Sequence, residues 1–517
     1  MAREAVVRFI LEGQLHAETP IHVGGLGSSV ESDMPLARDG QGRLYIPGTS
    51  IAGAIRSWGS APDIDSNKQK EFWGYQSSEP EEGNASHIWV ADGYVQGGVI
   101  LTETRDHVGI DRRTGAAAHA IKFDREVLPV GTRIPLRIVA DCPRKLFETG
   151  SAIIMAIQAG LEAGLIPFGA SKSRGLGRLV LKEARCRKVR LDCPEGILSL
   201  VTNPDEAGEP LKPYAIPVPD HIHQFLIGWE PETPVMVKDS RKGNGADMVP
   251  LVTGSFVPGR LAFVLPGSSI KGALRSHAER IVRTVLGFQP TQGEFQSSIQ
   301  VPLVDFLFGT CRLPENPETS ASSAHSTGSF SLETPCEEDP KPGLGALSID
   351  DCHSRETVST RGWESILMAE EQEIQNALVA ERLVKGSSPS MRLNHHVAID
   401  RWTGGAADTA LFSVLEPWGI EWSDIRIRLD TRRIPKAVQK PALALLHILV
   451  RDLATGRIPL GFGTNRGMGS LKVTEVTLPG KGGRVGASSY QVPGDFEAPW
   501  QEWIKRELEK VAIGTRK

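Results

Sequence analysis

Positions 6–15 are rich in β-branched, aromatic and aliphatic residues (Val6, Val7, Phe9, Ile10, Leu11, Leu15) and the pattern stops at Glu18-Thr19-Pro20, which predicts an opening strand. A loop rich in Gly and Ser follows (Gly24, Gly25, Gly27, Ser28, Ser29), Tyr45-Ile46 ends a short strand, and Pro47-Gly48-Thr49-Ser50 opens a helix. Further strands are expected at 87–91 and 133–140. Ile154, Ile157 and Leu161 then stand at i, i+3 and i+7, one apolar face of a second helix. The same series returns later in the chain, with strands at 346–349 and 425–429 and a helix face of Leu446, Leu449 and Leu453, each 292 positions after its counterpart. Each half reads strand, helix, strand, strand, helix, strand. That order predicts an α+β fold of two tandem ferredoxin-like (RRM-like) domains, each one antiparallel sheet with two helices on one face.

The repeat extends to the residues themselves. DMPLARDGQGRLYIPGTSIAGAIRS at 33–57 is answered by DMVPLVTG from Asp247 and LPGSSIKGALRS ending at Ser276. Asp33 and Asp247 lie 214 positions apart, whereas Pro47 and Pro266, like Arg56 and Arg275, lie 219 apart, so one five-residue insertion explains the block. HVGIDRRTGAAA at 107–118 matches HVAIDRWTGGAA at 396–407 at an offset of 289. About seventy extra residues therefore fall between Arg275 and His396, and the stretch 314–343, rich in Ser, Thr, Pro and Glu, reads as a weakly ordered insertion. The glycine loops PFGASKSRGLGRL at 167–179 and PLGFGTNRGMGSL at 459–471 close each half.

Chemistry concentrates in these repeated blocks. Ser and Thr at a helix start cap exposed N–H groups, and the partial positive charge there suits a phosphate; for one copy alone a plain helix cap is the better explanation, and the duplication weakens it. Closely spaced glycines let backbone approach a ligand, and Lys172, Arg174 and Arg466 bring positive charge. The net charge of −4 argues mildly against a nucleic-acid partner, but only on average: residues 171–190 hold eight Lys or Arg against Glu183 alone. An aspartate in a glycine-rich loop ordinarily caps that loop. Its duplication at Asp33 and Asp247 is what draws notice. His22 is replaced by Met236 in the second copy, where Lys238, Arg241 and Lys242 crowd the approach, so a histidine base shared by both sites is not expected there.

With 517 residues, 40% of them hydrophobic, the chain can bury a large core and hold two to four domains. The expected boundaries are a first domain at 1–192, a linker at 193–220, a second domain at 221–493 with an insertion at about 310–345, and a helical tail at 494–517. No stretch is long and apolar enough to span a bilayer and the N-terminus lacks a signal-peptide layout, so a cytoplasmic protein without a membrane partner is expected. Six cysteines make no disulfide framework. Cys311, Cys336, Cys352 and His353 admit a structural zinc, but their irregular spacing favours ordinary thiols.

The Asp-bearing loop, the Pro-Gly-Ser/Thr-Ser helix, the IDRxTG segment and the closing glycine loop, each present twice and in order, resemble the RAMP superfamily, specifically the backbone subunits of type III CRISPR effector complexes. The tandem arrangement is similar to the double-backbone subunit of the type III-D variant. The resemblance implies ferredoxin-like domains with thumb and finger insertions, the two IDRxTG segments lying in thumbs that wedge apart a guide–target duplex. It implies guide RNA, complementary target RNA, other RAMP backbone subunits and the large polymerase-like subunit as partners. Guide contacts are then expected from Thr49, Ser50, Arg56, Arg112, Lys172 and Arg174 in the first copy and from Ser268, Ser269, Lys271, Arg275, Arg401 and Arg466 in the second. Asp33 and Asp247 become the catalytic residues of a metal-dependent endoribonuclease, each meeting a transient divalent cation, Mg²⁺, in the presence of target RNA. A single carboxylate is a poor Mg²⁺ site unless phosphate oxygens complete it, so the site would form with target bound. Two other readings stay open: a guide-binding scaffold without catalysis, and a guide-processing RNase using His107 and His396.

Overall fold

The computed structural model describes residues 5–25, 32–58, 65–76, 83–97, 102–112, 114–211, 221–287, 301–310, 343–385, 388–478 and 483–514. Most of the insertion expected at about 310–345, with Cys311 and Cys336, lies outside them. Two compact units are present: one built from residues 1–107, 123–219 and 254–258, the other from 108–122, 220–253 and 259–517.

In the first unit Val7–Ala17 is the central strand, antiparallel to Arg133–Cys142 on one side and to Leu179–Arg190 on the other. Ile88–Val90 edges the sheet beside Arg133–Cys142, and Glu209–Pro210 edges it beside Leu179–Arg190. Alternation decides the faces. Phe9, Leu11 and Leu15 enter one core with Ile51 and Ile55 of helix Gly48–Trp58 and with Ile153, Ile154 and Ile157 of helix Phe147–Glu162. Ile10 points the other way and packs with Val189, Ala207 and Leu200. The region expected as a bare linker therefore contributes here: it forms helix Pro194–Thr202 and the edge strand, both added to the first sheet, while residues 212–220 lie outside the described set.

The second unit repeats the order. Ile222–Pro231 sits between Ile425–Asp430 and Leu471–Thr477, with Leu347–Ile349 and Arg484–Gly486 at the edges. Helices Gly267–Leu286 and Lys436–Ala454 supply Ile270, Leu274, Leu446, Leu449 and Leu453 to its core. In both sheets the four principal strands, numbered along the chain, lie side by side as second, third, first, fourth, as a split βαβ core requires. The tail is not an appendage: helix Glu497–Gly514 buries Trp500 and Trp503 in this core, and the buried His447 places Nδ1 2.7 Å from Tyr490 Oη and stacks on Phe496. Part of the extra length in the second copy is ordered structure, since Arg260–Leu265 pairs with Cys352–Ser359 and helices Thr360–Met368 and Glu371–Ala380 follow, with Trp363 buried.

Each IDRxTG segment turns a two-stranded hairpin, Glu103–Ile110 with Ala117–Val127 and Met391–Ile399 with Ala406–Pro417. Its aspartate makes the turn. Asp111 Oδ1 accepts from Thr114 N–H and Asp400 Oδ1 from Trp402 N–H, both at 2.8 Å, while Gly115 and Gly404 N–H return to the aspartate carbonyls.

Candidate active site and nucleic-acid interface

Asp33 and Asp247 are exposed, and each is sewn to the second strand of the hairpin that follows it. Asp33 N–H donates to Asp124 Oδ1 at 2.9 Å, and Asp124 N–H donates back to Asp33 Oδ2 at 3.0 Å. One step on, Glu126 N–H donates to the Met34 carbonyl at 3.0 Å. In the second repeat Asp247 N–H donates to Ser413 Oγ at 3.0 Å, and Ser413 returns its N–H at 2.9 Å and its hydroxyl at 3.1 Å to Asp247 Oδ2. Leu415 N–H donates to the Met248 carbonyl at 2.9 Å. The Ser413 N–H, helped by the Ser413 hydroxyl and by Lys242 and Lys238, holds the Asp247 carboxyl below the usual carboxylate range. The seam uses Oδ2 of each aspartate.

The glycine loops lie behind these seams. Ala170 N–H donates to the His22 carbonyl at 2.8 Å, and Phe462 N–H to the Met236 carbonyl at 2.7 Å. Gly169 and Gly461 take φ of +72° and +90°, and a Cβ on either would stand 2.1 or 2.2 Å from that same carbonyl oxygen, so only glycine permits the approach. His22 is buried with Nδ1 2.7 Å from the Glu126 carbonyl, and burial lowers its pKa. Met236 fills the equivalent place, also buried. Within each hairpin a ring pair joins the two strands, His107 on Phe123 and His396 on Phe412, with centroids 5.0 and 5.4 Å apart, and arginines join hairpin to glycine loop. The Arg125 guanidinium lies 5.9 Å from the Phe123 centroid and donates to Ser171 Oγ; that of Arg466 lies 5.4 Å from Phe412. Both hairpin histidines thus pack against rings, and His396 Nε2 also meets Glu416 Oε1 at 2.8 Å.

A family model described as the RAMP superfamily matches residues 14–180 and 233–472. The chain belongs to the RAMP superfamily. Each matched block runs from the central strand region of one sheet to the strand after its glycine loop, so the match spans both Asp seams. A 53-residue stretch is also 42% identical to the CRISPR system Cms endoribonuclease Csm3 of Methanocaldococcus jannaschii; it covers 10% of this chain and 21% of that relative's length.

The cations expected to contact RNA separate by burial in this RAMP protein. Arg174, Arg401 and Arg466 are exposed, and Lys172 is half-buried on the loop that carries Arg174. Lys271 is not available: it is buried and its Nζ donates to the Leu347 carbonyl at 2.8 Å. Arg275 is likewise held inside, at 2.7 Å from Glu279, 2.9 Å from Asp305 and 2.7 Å from the Gly309 carbonyl. Burial pushes the Asp305 carboxyl up to about 6 against the opposing pull of Arg275. Arg56 is exposed yet donates to the Gly74 carbonyl at 3.0 Å, and Arg112 meets Glu279 at 2.7 Å. At the helix starts Thr49 is exposed and Ser50, Ser268 and Ser269 are half-buried. The first N–H of each helix is already taken by a carboxylate of the chain, Gly48 by Asp92 at 2.7 Å and Gly267 by Asp351 at 2.8 Å. A phosphate at either helix start would meet a resident carboxylate at the first N–H.

Sequence reasoning passed over Asp124 and Ser413. The offset of 289 pairs them, each directly after the repeated Phe of its hairpin, and that register was the available signal. Among the described residues no three His, Cys, Asp or Glu side chains gather to hold a metal. Asp33 and Asp247 each present one exposed carboxylate, a donor set that would hold a hydrated Mg²⁺ only when phosphate oxygens complete it and that forms no preformed cage. Cys352 is buried, bonds the Ser423 carbonyl through Sγ at 3.0 Å, and has its pKa pushed to about 12 by burial.

Proposed function

We propose that this RAMP protein is a backbone subunit of a type III CRISPR effector, with two tandem ferredoxin-like domains that hold guide RNA and cut complementary target RNA once per domain. The observation that carries the reading is the matched seam at Asp33-Met34 and Asp247-Met248, which fixes an exposed aspartate at the root of each hairpin. Membership of the superfamily and the partial match to a protein named an endoribonuclease support it. The exposed arginines of the glycine loops, Arg174 and Arg466, take the guide backbone, with Lys172 and Arg401 beside them. Such contacts recognise RNA by charge and shape and leave the bases free to pair with a target.

At each hairpin a target nucleotide displaced from the duplex turns its 2′-hydroxyl toward the next phosphate. The aspartate orients that hydroxyl by accepting its hydrogen bond, while Oδ2 stays tied to the hairpin. A divalent cation, held by Asp33 or Asp247 together with RNA phosphates, would stabilise charge on the phosphoryl oxygens. Other RAMP subunits and the large polymerase-like subunit are the expected neighbours, in a cytoplasmic particle. The test is to purify the chain with its bound RNA and incubate defined complementary targets with Mg²⁺ and with chelator. A co-purifying guide and cation-dependent cuts in complementary target alone are expected. No bound RNA would overturn the reading.

A further inference from the structure

We infer that Asp124 and Ser413 are positioning residues that hold the two reactive aspartates at the hairpin roots. The inference rests on the function proposed above and deepens it. Asp124 Oδ1 accepts from both Asp33 N–H at 2.9 Å and the buried Ser32 hydroxyl at 2.6 Å, so one carboxylate oxygen ties down the Asp33 amide together with the side chain of the residue before it. Ser413 does the same work with one hydroxyl, which accepts from Asp247 N–H and donates to Asp247 Oδ2. Different side chains thus close the same ring in the two repeats, each with the backbone N–H of residue 124 or 413 on the aspartate Oδ2. What is common is an acceptor on a short side chain aimed at the loop N–H. The negative charge of Asp124 is not common, so the acceptor is the working feature and serine can replace it.

A loop aspartate that loses this acceptor keeps its charge and its place in sequence but samples orientations that miss the 2′-hydroxyl, which lowers the rate without weakening duplex binding. The test uses the full chain assembled with guide RNA and compares Asp124→Ala, Asp124→Ser and Ser413→Ala. Three quantities are read: the single-turnover rate at each cut, target affinity, and amide exchange of residues 32–36 and 246–249. Asp124→Ala is expected to slow the Asp33-dependent cut by about tenfold or more, with target affinity and the Asp247-dependent cut unchanged. Asp124→Ser is expected to restore most of that rate. Ser413→Ala should mirror the effect at the other cut. Exchange should speed up at 32–36 in Asp124→Ala and return toward the native rate in Asp124→Ser. Native cutting or native exchange in Asp124→Ala would overturn the inference, and so would an Asp124→Ser variant as slow as Asp124→Ala. If the unaltered protein cuts at neither position, the proposed function fails, and the exchange rates still decide whether the side chains hold the loops.

Discussion

Arg275 places its guanidinium among Asp305, Glu279 and the Gly309 carbonyl, so cutting it back to Ala takes the guanidinium from the buried Asp305 and leaves Glu279 to Arg112. Losing one partner of such a buried group costs about 3–5 kcal/mol, and Arg275→Ala should lower the denaturation midpoint by a corresponding amount. Arg174 and Arg466 are exposed on glycine loops, and their removal should leave that midpoint nearly unchanged. The effect should appear in RNA binding: each Ala variant weakens it and flattens the slope of log K against log salt by about 0.7, the contribution of one phosphate contact on a single strand. Unchanged affinity and slope would return these arginines to a structural role. The sequence aligned Lys271 and Arg275 with RNA-facing residues because register reveals equivalence and not burial. Their partners Leu347, Asp305 and Gly309 come from chain segments 30 or more positions away that no local pattern connects.

At the scale of elements, the apolar periods were legible because a strand or helix must put one face inward wherever it sits. The faces at Ile154, Ile157 and Leu161 and at Leu446, Leu449 and Leu453 are buried. The C-terminal segment was legible as a helical tail, but its docking was not, since that depends on His447, Tyr490 and Phe496 meeting across the core. The ordered helices at Thr360–Met368 and Glu371–Ala380 were missed because nothing in the first repeat stands against them. The docked tail has a pH signature. Burial, with the nearby His223 adding to it, lowers the His447 pKa from 6.5 to about 4, so the folded protein keeps this ring neutral. The unfolded chain gains a proton that the folded one refuses. The contribution is therefore full above pH 6.5 and is lost as pH falls toward 4, by on the order of 3 kcal/mol. The unfolding midpoint should fall across that window, and His447→Gln should flatten the fall. An equally steep fall in that variant would place the pH dependence elsewhere.

For the whole molecule, duplication is the organising fact: two sheets with one strand order, two hairpins with one turn and two aspartates with one seam. That much could be read from offsets of 214, 219 and 289. The seam itself could not: the offset of 289 pairs Asp124 with Ser413, but they differ in chemistry and only folding brings them to Asp33 and Asp247. Two matched seams on one chain should act at two positions along one duplex. The decisive measurement is the cleavage pattern of an end-labelled complementary target, resolved to single nucleotides, in complexes carrying Asp33→Asn, Asp247→Asn or both. Asn keeps the shape of Asp and loses its charge. Each single variant should lose a different cut, and the double variant both, with guide and target binding nearly unchanged. A double variant that still cuts at both positions would contradict the account and leave the two aspartates as loop caps on a scaffold.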